Sequence, residues 1–374
     1  MMKTVRDIPL LKDIPVLVRT SLNVPLVGGK VANAFRLIEA LPTIEYLRAK
    51  GAKVILISHI GRADTETLRP VYEALQLMIP GLVFCGEAVG SIAREAARAL
   101  RRGDVVLLEN LRRYRGETMN DPAFSAELAS LADVFVQDNF DTCHREHASF
   151  VGIPKFLPSY AGFLVEKEVR ELTKALAPSR PSLAIIGGAK FETKQPVLTK
   201  LLIAYDTVFV GGAVGNDFLA VAGHPVGKSL VSGAPSASLK TLLENDRLII
   251  PIDVVVSDGK KKRITGLDDV QENEAILDNG PETVSLLQNF IMKAKTVLWN
   301  GPIGNYEYGY VEGTEEIARA IAGSKAYSVV GGGDTVAAIE SLGLNDRFSF
   351  ISTGGGAMLE FLAKGTLPGI RALG

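Results

Sequence analysis

Two sets of residues in this 374-residue chain have types and spacing suited to chemistry on anions. The first half places Arg19, His59, Arg62, Arg112 and Arg145 at or just beyond the ends of short apolar runs, with Arg36 in the segment after the first run. Converging guanidinium groups bind carboxylate or phosphate through paired, charge-assisted hydrogen bonds. The second half ends its apolar runs on "GGAK", "GGAVGND", "GGGDT" and "STGGG". There, bare backbone N–H groups at helix starts can cradle phosphates. One half reads as a site for a small anion, the other as a site for a nucleotide.

Plainer roles stand beside these. An arginine near a strand end also serves as a structural or solvated residue, and a glycine pair is the default tight turn between strand and helix. Asp334, after three glycines in "VVGGGDTVAAI", suits a helix N-cap. His144 and His147 flank Arg145 without acidic or cysteine partners at ligand spacing, which argues against a metal site there; His224, in "AGHPVG", reads as a surface residue. Neither "GGGDT" nor "STGGG" has the phosphate-loop spacing, and no G-x-G-x-x-G follows the first apolar run.

The elements that must position these residues are legible as alternating patterns. Short β-branched runs ("PVLVR", "AKVILISH", "DVVLLEN", "DVFVQDNF"; later "SLAIIGG", "DTVFVGG", "RLIIPIDVVV", "TVLWNGP", "AYSVVGGG", "RFSFISTGGG") alternate with amphipathic ones such as "GSIAREAARALRRG". Continuous hydrophobicity within the runs implies strands buried on both faces, with helices as crossovers. The predicted fold is α/β, with two doubly wound, mainly parallel-sheet domains. Prolines and glycines in "VGIPKFLPSYAG" mark a boundary near residue 158, and "FLVEKEVRELTKALAP" reads as one helix joining the two sheets. The expected division is 1–158, a joining helix or hinge over 159–177, a second domain over 178–355, and a C-terminal segment 356–374 returning to the first.

Composition narrows the partners. With 41 basic against 42 acidic residues and a net charge of -1, nothing calls for nucleic acid or an acidic membrane surface. The N-terminus shows no signal-peptide pattern, and no apolar stretch approaches the length of a spanning helix. Cys85 and Cys143 are too few and too isolated for a disulfide framework or zinc site. They fit reduced thiols in a cytoplasmic protein.

Taken in order, "VRTSLNVP", "RLIEALPTIEYLRAKGAKVILISHIGR", "LLENLR", "NFDTCHREHAS", "IIGGAK", "VLWNGPIG", "VVGGGDT" and "STGGGAMLEFL" resemble the phosphoglycerate kinase family from about residue 14 to the C-terminus. That resemblance implies reversible phosphoryl transfer between 1,3-bisphosphoglycerate and ADP, giving 3-phosphoglycerate and ATP, with Mg²⁺ on the nucleotide, in a cytoplasmic monomer. By position it implies a sugar-acid site of Ser21, Asn23, Arg36, His59, Arg62, Arg112 and Arg145. For the nucleotide it implies Lys190, Lys194, Gly211, Gly212, Asn300, Pro302, Glu307, Gly333, Asp334, Thr335, Gly354, Gly355 and Gly356. Glu307 is expected at the ribose and Asp334 at the metal. Arg36, Lys190, Lys194 and Gly355 are expected to act on the transferring group. Ligands on different domains further imply domain closure about the joining helix.

Several positions depart from the family's motifs. The R-V-D-F-N-V-P motif carries its aspartate where this chain has Ser21, and D-A-F-G here reads Asp138, Asn139, Phe140, Asp141. A neutral acceptor for a charged one weakens a hydrogen bond by roughly 1 kcal/mol. Alternatives are therefore a related kinase with an altered acid substrate, or a nucleotide-binding homologue with reduced activity. The family's D-[IV]-G-P reads "DNGP" from Asp278.

Overall fold

The computed structural model describes residues 2–374, and its contacts separate into two units, 2–170 with Thr366–Gly374, and Glu171–Gly365. The helix Phe163–Ala175 carries the chain from one to the other. The helix Gly356–Lys364 belongs to the second unit, and the tail that groups with the first begins at Thr366. There Gly369 donates its N–H to the Cys143 carbonyl at 3.0 Å.

The first unit is built on six parallel strands in the order Val83–Cys85, Val105–Leu108, Lys53–Ile57, Pro15–Thr20, Val134–Asp138, Ser159–Ala161. Successive side chains of a strand alternate faces, so Val16, Val18, Val54 and Leu56 enter one apolar cluster while Leu17, Ile55, Ile57 and Val106 enter another. Helices cover both. Leu37, Ile44 and Leu47 of the helix Phe35–Ala49 seal the first face, and Phe124 and Leu128 of Pro122–Ala129 seal the second. The strand order changes direction between Pro15–Thr20 and Val134–Asp138, which is where an open α/β sheet offers a crevice to ligands.

The second unit repeats the plan, with parallel strands in the order Leu248–Ile249, Thr207–Val210, Ser182–Ile186, Thr296–Asn300, Tyr327–Gly331, Phe350–Ile351. Its reversal lies between Ser182–Ile186 and Thr296–Asn300. Trp299 is fully buried against Ile185, Leu287 and Ile317 in the cluster on one face.

Both units are α/β with mainly parallel sheets, as continuous hydrophobicity implied. One run divides differently from its reading. "RLIIPIDVVV" is two elements: Leu248–Ile249 pairs at the sheet edge, and Asp253–Ser257 is the centre of a separate antiparallel sheet with Lys262–Gly266 and Ala275–Asn279. Pro251 lies between them, and proline has no N–H to continue a ladder.

Candidate active site

In the first unit the strand-end residues form a basic cluster with a buried frame. Arg19, 1% exposed, donates from Nε to Ser149 Oγ at 2.8 Å, from Nη1 to the Thr20 carbonyl at 2.9 Å, and from Nη2 to His59 Nδ1 at 2.7 Å. Its guanidinium stacks on the Phe150 ring at 4.6 Å. Burial lowers its pKa to about 10, opposed by nearby Glu117. Glu117 is itself fully buried and accepts from Ser149 N at 2.9 Å and Ser149 Oγ at 2.6 Å. Arg19 therefore braces the site from within instead of facing a ligand. Glu117 and Ser149 gave no sequence signal, because they lie in the short helical turns Arg115–Thr118 and Ala148–Gly152, away from strand ends.

His59 inherits a defined state from this frame. A guanidinium can only donate, so His59 Nδ1 accepts and Nε2 carries the ring proton. Burial first, then Arg19, holds its pKa well below the ordinary histidine value. His59 thus offers a neutral N–H donor. His147 lies in the same field, held at about 4 by burial and by Arg112, Arg19 and Arg145.

Arg36, Arg62, Arg112 and Arg145 complete the cluster. Burial, then Arg145 and Arg62 against the opposing pull of Glu117, lowers the Arg112 pKa, and Arg112 Nε is a buried donor with no partner. An orphaned cationic donor among like charges is favourable only when an anion meets it. Asn23 sets the surrounding loops: its Oδ1 accepts from the amide of Gly61 at 3.0 Å, next to Arg62, and its carbonyl accepts from Arg36 Nη1 at 2.5 Å. Ser21 lies differently from its neighbours. It is 0% exposed, and its hydroxyl donates to Asp141 Oδ1 at 2.6 Å.

In the second unit a cavity of about 210 Å³ opens at the sheet's reversal point, lined among others by Gly212, Asn279, Pro302, Glu307 and Asp334. The glycines in and beside it act by absence of side chain. The N–H groups of Gly211 and Gly212 are committed to the carbonyls of Ile186 and Ile303 at 3.0 and 2.9 Å. They are therefore not free phosphate donors. A Cβ on Gly212, whose φ is +61°, would stand 2.9 Å from the Gly188 amide nitrogen.

The donors lie at two other glycine turns. Gly332 has φ +103° and precedes the helix Gly333–Ser341; Gly355 precedes Gly356–Lys364. A Cβ on Gly355 would lie 3.6 Å from Gly332 Cα, so the two helix starts converge. The first-turn amides of a helix have no partner within it, and two converging N-termini concentrate positive potential. Lys194 adds a charge: burial lowers its pKa to about 8 while Asp334 opposes the shift, and its Nζ reaches Asn300 Oδ1 at 3.4 Å. Asn300 Nδ2 in turn faces Met358 Sδ at 3.5 Å. Lys190 is exposed just before the helix Phe191–Ala204.

Asp334 is exposed, and the next residue, Thr335, has a buried Oγ1 with no hydrogen-bond partner. Among the described residues no group of three His, Cys, Asp or Glu is placed to hold a resident ion. One carboxylate beside an orphaned hydroxyl fits a Mg²⁺ that arrives on a nucleotide, since that ion takes few protein ligands and keeps phosphates and water.

Asp278 and Asn279, whose motif was visible without an assignable role, brace the cavity. Asp278 accepts from the amides of Gly313 at 3.0 Å and Asn279 at 2.8 Å, and burial raises its pKa to about 6. A Cβ on Gly304 would meet its Oδ1 at 2.3 Å, so Asp278 sets the loop that carries Glu307. Asn279 Nδ2 donates to the Ile303 carbonyl at 2.8 Å.

Two parallel-sheet units, one with a cationic cluster and one with a glycine-walled cavity at converging helix starts, define the class of α/β phosphotransferases. Comparison with known proteins sharpens this. The family model for phosphoglycerate kinase matches residues 5–365. The phosphoglycerate kinases of Rubrobacter xylanophilus and Pelotomaculum thermopropionicum are 45% and 43% identical, each over 99% of this chain and 98% of the relative. The solved structure of phosphoglycerate kinase from Pyrococcus horikoshii superposes with a TM-score of 0.90 at 32% identity, covering 100% of this chain and 98% of that one. That from Coxiella burnetii gives 0.87 at 35%, covering 100% and 99%. The chain belongs to the phosphoglycerate kinase family.

Proposed function

We propose that the protein catalyses Mg²⁺-dependent, reversible phosphoryl transfer between 1,3-bisphosphoglycerate and ADP, giving 3-phosphoglycerate and ATP. The observation that carries this reading is the division of labour between the two reversal points: an orphaned arginine donor in a cationic cluster at one, converging helix N-termini with a buried lysine at the other.

The first unit, as the phosphoglycerate domain, takes the acid. Arg36, Arg62, Arg112 and Arg145 bind its phosphate and carboxylate, and His59 adds a directed donor. In the second, as the nucleotide domain, Gly212 and Pro302 bound the base end of the cavity and Glu307 accepts from the ribose. Asp334 and Thr335 hold the nucleotide's Mg²⁺, which when bound neutralises phosphate oxygens. Lys190, Lys194 and the amides of Gly355 and Gly356 stabilise charge on the transferring group, while the Gly354 amide donates to Ser352 Oγ at 3.1 Å and shapes the turn before them. Such transfer demands positioning and charge neutralisation more than covalent help. The acceptor is a carboxylate, already without its proton at neutral pH, so no general base is required. ATP or ADP and the phosphorylated acids are the partners in this reading, and the chain works as a cytoplasmic monomer.

A coupled assay with 3-phosphoglycerate, ATP and Mg²⁺ tests it. Turnover is expected, and its absence from well-folded protein would overturn the assignment. Size-exclusion chromatography should show a single species near the 40.0 kDa chain mass.

A further inference from the structure

We propose that Asp141, held by Ser21, is the residue with which this enzyme selects a hydroxyl-bearing acid; the inference rests on the function proposed above and names the specificity of that same site.

Ser21 directly follows the strand Pro15–Thr20, and Asp141 lies three residues beyond Val134–Asp138. These strands are neighbours in register, with Thr20 opposite Asp138. The two residues therefore face one another across the first sheet's reversal point. Their burial assigns the roles. Ser21 is 0% exposed, whereas the Asp141 side chain keeps 5%. Ser21 donates its proton at 2.6 Å and stands behind; Asp141 stands in front.

A carboxylate inside an anion site needs a reason. It competes with the ligand for Arg36, whose Nη1 lies 3.5 Å from Asp141 Oδ2, and it repels every ligand anion. The arrangement is favourable when the ligand carries a hydrogen-bond donor between its charged ends. The acceptor count permits one. A carboxylate has about four lone-pair positions. Oδ2 is taken by Arg36 and by the Thr142 hydroxyl at 3.2 Å, and Oδ1 by Ser21, leaving one position on Oδ1. The hydroxyl of a 2-hydroxy acid is such a donor. The departures at Ser21 and Asp141 are then one exchange, in which the carboxylate has moved across the crevice and a serine fills the place it left. This also removes the motive for assigning an altered acid.

The test is equilibrium binding of 3-phosphoglycerate and of 3-phosphonooxypropanoate, which lacks the 2-hydroxyl. The readout is the ratio of the two affinities, because removing a negative charge strengthens binding of both anions alike. Asp141→Asn and Asp141→Gly should each lower the ratio by roughly tenfold. Ser21→Asp combined with Asp141→Gly should restore it. An unchanged ratio in the folded Asp141→Asn protein would overturn the proposal, as would failure of the combined variant to recover discrimination. Lack of wild-type turnover would instead overturn the functional reading, since the binding ratio is measured without catalysis.

Discussion

Arg19 Nη2 donates to His59 Nδ1 at 2.7 Å, and this bond fixes which nitrogen of the ring faces outward with a proton. A buried cation beside a histidine holds that histidine neutral, so the site's imidazole works as a directed donor rather than a charge.

His59→Gln, which keeps an N–H donor, should therefore retain more activity than His59→Ala. The alanine variant is expected to lose at least about tenfold in kcat/KM for the acid. Any step near the ordinary histidine value in the pH profile of the wild-type KM for the acid should come from the substrate's own phosphate and persist unchanged in His59→Gln. A step there that disappears in His59→Gln would mean the ring titrates as a cation.

Lys194 predicts a limb on the alkaline side. With its pKa lowered to about 8 by burial, the free enzyme loses this charge as pH rises through that value. The kcat/KM for nucleotide should fall by about tenfold per pH unit above it if the neutral amine is inactive. Bound polyphosphate favours the charged amine, so kcat at saturating nucleotide should hold to higher pH. Lys194→Met should abolish the limb and lower kcat/KM by about 10² or more. Persistence of the limb in that variant would assign it to another group.

Asp138 predicts a pH-dependent stability. It is fully buried, accepts from the amides of Leu164 and Val165 at 2.9 and 3.4 Å, and burial raises its pKa from 3.8 to about 7. The folded protein thus holds a proton that the unfolded chain has released. The contribution of this group is fully present below 3.8 and is lost as pH rises to about 7, with a ceiling of about 4 kcal/mol. Asp138→Asn keeps an acceptor without the charge. Its stability relative to wild type, from urea unfolding, should rise from about pH 4 upward and level off above about pH 7, as the titration between 3.8 and about 7 completes. A constant difference would show that Asp138 does not titrate there.

The parallel sheets and the strand-end arginines were legible because burial on both faces leaves uninterrupted apolar runs, and because a sheet's carboxyl ends are fixed by the order of those runs. The roles within the cluster were not. Arg19 and Arg112 are the same residue type, one among the last residues of its strand and one in the short helix just after its strand, yet one is enclosed by Ser149, Glu117 and Phe150 and the other keeps an orphaned donor. That difference comes from segments distant in sequence. Ser21 and Asp141 are 120 residues apart. Each read alone is a defect; only their contact makes them an exchange. The glycine pairs were equally ambiguous: Gly211 and Gly212 commit their amides to carbonyls, while Gly332 and Gly355 start converging helices.

The consecutive glycines of "VVGGGDT" separate folding from binding. Gly332 has φ +103°, and a Cβ there would lie 3.3 Å from the Gly301 amide nitrogen; Gly333 has neither feature, with nothing within 4 Å of its added Cβ. Gly332→Ala should destabilise the protein by about 1–3 kcal/mol, measured by denaturant unfolding, because alanine is strained at positive φ. Gly333→Ala should fold with near wild-type stability, since the space is open. That space is where a phosphate would approach the first turn of Gly333–Ser341, so its effect should appear as a raised KM for nucleotide, with the KM for the acid unmoved. Equal losses of stability in both variants would show that the open space beside Gly333 is not held for a ligand. Near wild-type stability in Gly332→Ala would show that this turn tolerates a side chain after all.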